Sequence, residues 1–465
     1  MPRYLVTALI VACALFMENL DATVISTSLP AIAADLNEDP IALKLALTSY
    51  LLSLAVFIPA SGWAADRFGA RRVFRAAIVV FTLGSVLCGL SSTLAALIGS
   101  RIIQGLGGAM MVPVGRLVLL RSVERSELVR ALSYLMVPAL VGPIVGPLIG
   151  GFITTYLHWR WIFWINVPIG AFGFLLATIF IEDVKVDVHW PLDITGFLLL
   201  ATGLALFIFG SAGVGRGLFP SGAIIAMLAT GAMVLTAYVL HARRTAYPLI
   251  DLRLLSVPTF RASVTGGSLF RIGIGSIPFL LPLMLQIGFG LDPFQSGSIT
   301  FIASAGALLM KTTAAPILRI FGFRPVLIYG AIASAIILGS YGFFTPSTPT
   351  ALIMGLLLFG GFIRSLVFTS LNAIAYAEID QIQLSRATSF VSVAQQLSLS
   401  LGIAAAAGVL QGLAYLHPGA GPFTPENFRW AFIAMGLISI CSVFSFLRLP
   451  ADAGSELAKR QSKSV

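Results

Sequence analysis

Two acids stand where an apolar run should hold none. Glu18 and Asp21 lie in Met17-Glu-Asn-Leu-Asp-Ala-Thr-Val-Ile-Ser-Thr-Ser-Leu-Pro30. Three residues apart, their side chains sit roughly 60° from each other around a helix, so both can look into one cavity. An acid at bilayer depth costs roughly 2.5–3.5 kcal/mol on insertion scales and is a functional residue by default. The chemistry this points to is reversible protonation, with a carboxyl that takes a proton from one side of a membrane and releases it to the other.

The chain that must position these acids has 465 residues, 58% of them hydrophobic and 10% charged. That is too little charge to cover a soluble surface and more apolar sequence than one core can use. The fold class is therefore an all-α polytopic membrane protein with the lipid bilayer as its partner. A formal net charge of +10 raises nucleic acid as a second partner. The Lys and Arg residues form no aromatic-interleaved patch or recognition helix, however, and sit between apolar runs instead. Cys13, Cys88 and Cys441 lie inside apolar runs with no CxxC and no nearby His, so neither a disulfide framework nor a metal site is expected. His158, His189, His241 and His417 are scattered, and no nucleophile motif or phosphate loop appears; no enzyme is expected. Residues 4–17 imitate a signal-peptide core, but Glu18 and Asp21 interrupt it and the preceding segment holds only Arg3.

Runs of about 20 apolar residues, enough to cross ~30 Å of hydrocarbon, recur fourteen times. The first six centre on Leu5 to Leu29, Leu43 to Ala64, Val73 to Leu90, Ala95 to Leu117, Leu132 to Tyr156 and Ile162 to Ile181. Two extra spans follow, Ile194 to Gly213 and Gly222 to Leu240. The last six are Ala262 to Ile287, Ser296 to Leu318, Val326 to Phe344, Ala351 to Tyr376, Ser389 to Leu413 and Trp430 to Leu447. This gives a six-helix bundle over 1–185, two linker helices over 186–250, a second bundle over 251–450 and a tail over 451–465. With the N-terminus in the cytoplasm, nineteen Lys and Arg fall in inner segments. Only Lys44, Arg160, Arg216 and Arg429 fall in outer ones, so both termini are expected in the cytoplasm.

The chain repeats itself weakly. Gly62-Trp-Ala-Ala-Asp66-Arg67-Phe-Gly69-Ala-Arg71-Arg72 follows the second run, and Ala315-Pro-Ile-Leu-Arg319-Ile-Phe-Gly322-Phe-Arg324 follows the tenth. Setting Gly69 on Gly322 puts Arg71 on Arg324 and Asp66 on Arg319, the pattern of a transporter built from repeats.

These residues resemble the major facilitator superfamily, specifically its fourteen-helix drug:proton antiporter branch, over essentially the whole chain. The Gly62 to Arg72 loop looks like the superfamily's cytoplasmic loop between helices 2 and 3. Arg101-Ile-Ile-Gln104-Gly105 resembles the antiporter motif linked to proton transfer. Gly142-Pro143-Ile-Val-Gly146-Pro147-Leu-Ile-Gly150-Gly151 is similar to the antiporter motif of helix 5. Leu20-Asp21-Ala-Thr23 with Leu29-Pro30, and Trp159-Arg-Trp-Ile-Phe-Trp-Ile-Asn166-Val-Pro168-Ile-Gly170, look like further marks of the branch. Within it the likeness is to bacterial multidrug exporters of the inner membrane. The resemblance implies a major facilitator fold of two six-helix bundles plus two extra central helices and no cofactor beyond protons as the coupling ion; a monomer is expected.

It also implies that the runs beginning at Leu5, Ala95, Ala262 and Ala351 line a central cavity, flanked by those beginning at Leu43, Leu132, Ser296 and Ser389. The charges at membrane depth respect this division: Glu18, Asp21, Arg101, Arg271, Lys311 and Arg364 all fall on lining or flanking runs. Asp21 is then the leading proton site and Glu18 a second. Arg101 either tunes Asp21 or forms a fixed ion pair that only joins helices. Gly142, Pro143, Gly146, Pro147, Gly150 and Gly151 serve either close helix packing or a bend that changes with conformation. Asp66, with Arg67, Arg71 and Arg72, either latches one conformation or is topogenic charge alone.

The substrate clue is in the second half. Arg271, Lys311 and Arg364 add three positive charges to the proposed cavity wall, with no acid in the cores of the same helices. An anionic or zwitterionic amphipath fits that wall better than a lipophilic cation. Asn372, Gln395 and Gln396 supply adaptable polar contacts. The bland alternative is that the three bases pair with Glu18, Asp21 or backbone carbonyls. Trp159, Trp161 and Trp164 are expected in the interfacial aromatic belt. The function expected is proton-coupled export of small amphipathic compounds by alternating access. Proton-coupled uptake of an organic anion, and a non-transporting membrane regulator, are its rivals.

Overall fold

A computed structural model describes residues 3–122, 128–181, 191–213, 220–245, 247–379, 383–416, 421–450 and 453–454. The expected boundary at 185/186 and the start of the tail at 451 lie outside the described residues. Fourteen helical segments coincide with the fourteen apolar runs, and no strand occurs among the described residues. They are α1 (Arg3–Asp35), α2 (Lys44–Phe68), α3 (Ala70–Leu90), α4 (Leu94–Ser122), α5 (Leu128–Tyr156), α6 (Trp161–Phe180) and α7 (Ile194–Gly213). After these come α8 (Ser221–Arg244), α9 (Pro258–Gly288), α10 (Pro293–Phe321), α11 (Phe323–Ser340), α12 (Thr350–Ile374), α13 (Leu384–Leu416) and α14 (Pro425–Phe446). Among the described residues, eleven helices are long and apolar enough to cross a membrane, and two shorter apolar stretches lie in α5 and α7. This is a multi-pass membrane protein.

Helix ends follow local chemistry. Gly69, at φ 91°, stops α2, and Gly322, at φ 75°, stops α10. Both angles lie where a Cβ is strained and glycine is not. Asp193 opens α7, its Oδ1 accepting from the Gly196 N–H at 2.8 Å. α9 is not continuous. It is α-helical over Pro258–Ile274, resumes over Ile277–Leu283 and ends in a π turn over Met284–Gly288. Pro278 has no N–H to give the preceding turn and its ring crowds the carbonyl of Ile274, which accounts for the break.

The contacts divide the chain into two compact units. The first comprises Met1–Ala205 with Asp292–Gly297, the second Leu206–Leu291 with Ser298–Val465. In the first, α1 packs on α5, and α4 packs on both α2 and α3. Its core holds Val11, Leu15, Tyr50, Leu54, Phe74, Phe81, Met111 and Val114. In the second, α9 packs on α13 and α14, and α11 packs on α12 and α14, around buried Phe270, Phe279, Tyr341, Phe428 and Phe432. The Ile250 N–H donates to the Tyr238 hydroxyl at 3.0 Å, joining the end of α8 to the segment that leads into α9.

Candidate functional site

The first unit is built around one carboxylate. Asp21 on α1 is 3% exposed and Arg101 on α4 is fully buried, and Arg101 Nη1 meets Asp21 Oδ2 at 2.6 Å. The other carboxylate oxygen, Oδ1, accepts from Gln104 Nε2 and from Asn166 Nδ2, each at 2.8 Å. Gln104 lies one turn after Arg101, so α4 presents both on one face. Asn166 comes from α6. Ser85 on α3 receives hydrogen bonds from Gln104 at 2.6 Å and Asn166 at 3.1 Å, fixing both amides.

Arg101 is held on its remaining sides as well. Its Nη1 also donates to Gln104 Oε1 at 2.6 Å and its Nε to the Ala46 carbonyl at 3.3 Å. Its guanidinium carbon lies 4.1 Å from the centre of the Tyr50 ring. Five helices thus converge on one buried ion pair, each through a different side chain or carbonyl. A buried pair with its lone pairs satisfied is stable in a way that either charge alone is not. Glu18, one turn earlier on α1, is half-buried. Gly108 of α4 lets it and Tyr50 approach, since a Cβ there would lie 3.1 Å from the Tyr50 hydroxyl and 3.7 Å from Glu18 Cγ.

The sequence pointed to Asp21 and Arg101 but gave no role to Ser85, Tyr50 or Asn166, and Gln104 entered only as part of a motif. Asn166 had a usable signal, an amide in the middle of the run Trp164-Ile-Asn-Val. Ser85 and Tyr50 had none. Two more residues have distinctive surroundings, and the second departs from expectation. Lys44 is fully buried in the first turn of α2. Trp159 does not belong to an interfacial belt: it is 3% exposed and donates to Asp35 Oδ2 at 3.1 Å, beside Arg160, which reaches the same oxygen at 2.7 Å. Trp161, by contrast, is exposed.

In the second unit, Arg271 on α9 is 3% exposed and its Nη2 has no hydrogen-bond partner. Its guanidinium carbon lies 5.6 Å from the centre of the Phe368 ring. Arg364, half-buried on α12, makes no hydrogen bond or ion pair among the described residues. Lys311 on α10 is exposed and donates to Thr369 Oγ1 at 2.9 Å. Gln395 on α13 donates to Asn372 Oδ1 at 2.9 Å, and Gln396 is half-buried beside it. Arg364, Phe368 and Asn372 recur every four residues, so they form one stripe along α12, with Arg271 against its middle and Gln395 at its end.

The two motifs proposed for movement are also placed. Arg71 donates to the Thr178 carbonyl in the last turn of α6, and Arg75 stacks 4.8 Å from the centre of the Phe174 ring. A Cβ added at Gly62 would meet nothing within 4 Å, while Gly69 provides the stop already described. Asp66 and Arg67 lie in the last turn of α2 and Arg72 in the first turn of α3, on either side of Gly69. On α5, Gly142, Gly146 and Gly150 face α1. A methyl group on them would run into Phe16 and Leu20 backbone, the Thr23 hydroxyl and the Val24 carbonyl, respectively. Gly151 abuts the Pro293 carbonyl, and the Pro147 carbonyl abuts Gly297, both within the first unit. Ser28 and Thr154 share a hydrogen bond of 2.6 Å across the same α1–α5 seam. Pro143 is half-buried. Among the described residues, no three His, Cys, Asp or Glu gather as a metal site requires.

Comparison with known proteins places the whole chain. A relative in Pectobacterium carotovorum, provisionally named multidrug resistance protein MdtD, is 39% identical over 95% of each chain. One of the same name in Serratia proteamaculans is 37% identical over 95% of this chain and 93% of its own. The fold is similar to that of a D-xylose–proton symporter, with a TM-score of 0.69 over 97% of this chain and 98% of the other, at 16% identity. The family model of the Major Facilitator Superfamily matches residues 11–242 and 264–464. With an all-helical fold in register with that family from end to end, the chain is a secondary transporter rather than an enzyme, and it belongs to the Major Facilitator Superfamily.

Proposed function

We propose that the chain exports small amphipathic organic compounds in exchange for protons. It works by alternating access, as a monomer in a bacterial inner membrane with both termini in the cytoplasm. Relatives at 37–39% identity carry a name for multidrug resistance, which supports export of varied compounds. The observation that carries proton coupling is the Asp21 carboxylate, buried within a membrane-spanning helix and bound by three donors from two other helices.

A proton arriving on Asp21 cancels the charge that Arg101 answers. The ion pair then opens, and α1 and α4 lose their strongest mutual contact. Loss of the proton restores it. Glu18 is a second protonation site on the same helix. The Gly62–Arg72 segment and the glycines of α5 carry the accompanying rearrangement, and residues 186–250 link the two bundles. Arg271, Lys311, Arg364, Asn372, Gln395 and Gln396 face the substrate. At ~100 mV one proton charge is worth about 2.3 kcal/mol. With about 1.4 kcal/mol per factor of ten, one proton sustains a roughly 40-fold gradient of a neutral substrate.

Proteoliposomes holding a pH-sensitive dye test this. Entry of a fluorescent amphipath from outside should alkalinise the lumen as protons leave in exchange. Acidification in step with entry overturns exchange in favour of symport. Asp21→Asn should abolish the pH signal, and an unchanged signal removes Asp21 from the coupling path.

A further inference from the structure

The second unit contains a buried positive charge without a negative one. Arg271 is 3% exposed, its Nη2 bonds to nothing, and no acid among the described residues pairs with it. The acids described in this unit are occupied elsewhere or lie at helix ends. Asp251 binds Arg253 and Arg386, Glu378 accepts from Thr259, and Glu426 sits in the first turn of α14. The titratable neighbours of the two arginines are phenols, Tyr376 at buried Arg271 and Tyr341 at half-buried Arg364. Arg101, by contrast, has a carboxylate, an amide oxygen and a carbonyl for its guanidinium besides the Tyr50 ring.

An unanswered guanidinium inside a protein is costly, and a fold retains one where something else supplies the charge. The position of Arg271 is fixed by the backbone. It opens the last turn of the first α9 segment before the break at Gly275, and its own carbonyl accepts the Gly275 N–H at 2.7 Å. Gly275 and Gly402 then bring α9 against α13 so closely that a Cβ on Gly275 would lie 3.0 Å from Leu399 Cα. Interrupted helices of this kind are where membrane transporters place their ligands. Around the guanidinium the wall is aromatic: Phe368 lies under it, and Phe270 packs edge-on against Phe368 with ring centres 5.4 Å apart.

We infer that Arg271, with Arg364 one turn before Phe368 on α12, forms the headgroup site for an organic anion bearing an aromatic or other planar apolar body. The guanidinium forks take a carboxylate or sulfonate through paired hydrogen bonds, and the Phe rings take the apolar part. This rests on the reading that these helices line the transport path, and it narrows the substrate from amphipaths in general to anionic ones. It also makes export less demanding. A monoanion leaving as a proton enters moves two charges in the direction an inside-negative potential favours, so the voltage-sustained gradient is the square of that for a neutral compound.

The test is calorimetric titration of the purified full chain with 2-naphthalenesulfonate, 2-naphthol, 2-naphthyltrimethylammonium and inorganic sulfate. The sulfonate should bind at least tenfold more tightly than any of the other three. Arg271→Gln should weaken the sulfonate at least tenfold and leave naphthol unchanged, whereas Arg271→Lys should retain most of the affinity. Arg364→Gln should weaken the sulfonate in the same sense. The inference is overturned if the ammonium compound binds as tightly as the sulfonate, if sulfate alone does, or if neither arginine substitution changes sulfonate binding. The probe ranking on the unmodified chain decides the matter even where a variant does not fold. Asp21→Asn should keep the sulfonate affinity while losing the proton signal, so failure of coupling and failure of the anion site are separate results.

Discussion

The ion pair at the centre of the first unit allows a quantitative test by a double-mutant cycle on Asp21 and Arg101. In Asp21→Asn the retained oxygen can still accept from Gln104 and Asn166, but the new amide N–H₂ faces Arg101 Nη1, donor against donor. Arg101 keeps only the Gln104 oxygen at 2.6 Å, the Ala46 carbonyl at 3.3 Å and the Tyr50 face. In Arg101→Gln the carboxylate keeps two amide donors and loses its counter-charge. Removing one member of a buried pair costs about 3–5 kcal/mol, whereas replacing both leaves no buried charge. For a unit of this size about 1 kcal/mol moves the midpoint of unfolding by roughly 2–4 °C, so each single variant should unfold about 6–20 °C lower. The double variant, with two amides able to bond each other, should recover at least about 3 kcal/mol of the summed losses. Tryptophan fluorescence during heating is a suitable assay, because Trp63, Trp159, Trp161 and Trp164 all lie in the first unit. Additive losses in the double variant would refute the pair as an energetic unit and leave Gln104 and Asn166 as the groups that hold Asp21.

Three further outcomes follow from single contacts, all read as shifts in unfolding midpoint. Gly146→Ala drives a methyl group into the Thr23 hydroxyl, which is itself held by the Asn19 and Leu20 carbonyls at 3.0 Å each. It should destabilise by about 1–3 kcal/mol, and Thr23→Ala in the same chain should return part of the loss. Two glycines of one motif should part company: Gly69→Ala, at φ 91°, should lose about 1–3 kcal/mol, while Gly62→Ala, inside α2 where an added Cβ would meet nothing within 4 Å, should be neutral or gain up to about 1 kcal/mol. The third concerns pH. The Arg253 guanidinium, bidentate on Asp251 at 2.8 Å to each oxygen, holds that carboxyl below its ordinary value of about 3.9. A lowered carboxyl stabilises the fold above its unfolded value and stops doing so as pH falls through the folded one. The difference in midpoint between the native chain and Asp251→Asn should therefore be constant from pH 8 to about pH 5 and shrink below about pH 4. Arg253 is largely exposed, so the plateau should not exceed about 1 kcal/mol.

The helices were legible because hydrocarbon thickness demands long apolar runs, and the charges within them stood out for the same reason. Asp21 and Arg101 are each the kind of residue a lipid-facing helix excludes, and finding one of each sign on runs that the resemblance places around one cavity pointed to their meeting. Their partners were not legible. Serine and tyrosine are ordinary in membrane helices, and nothing in Ser85 or Tyr50 distinguishes a side chain that orders two amides from one that merely packs. The burial of Lys44 was not legible either, because a lysine beside a turn is ordinarily exposed, whereas the chain turns through Pro40–Leu43 and buries it at once. Trp159 read as a belt residue because tryptophan near a helix end normally is one. Its burial depends on Asp35, which is distant in sequence and close only after α1 and the α5–α6 turn have met. The interruption of α9 was written in Pro278, but that Arg271 sits at its edge with no counter-charge is a fact of tertiary structure.

The internal repeat gains a physical meaning that the aligned letters lacked. Gly69 and Gly322 both take positive φ and both end a helix. Two residues on, Arg71 donates to the Thr178 carbonyl in the last turn of α6, and Arg324 donates to the Leu447 carbonyl just past α14, at 3.0 Å in the latter case. α6 and α14 close their respective six-helix sets, so in each half the same arginine caps the C-terminus of the last helix, where a cation answers orphan carbonyls and the helix dipole. What the repeat preserves is a stop and a cap, a requirement of the bundle. The position that does not repeat, Asp66 against Arg319, stands outside that requirement. A charge reversal there leaves each bundle its cap, which is why any role of Asp66 in gating belongs to the first half alone and has no counterpart to be sought at Arg319.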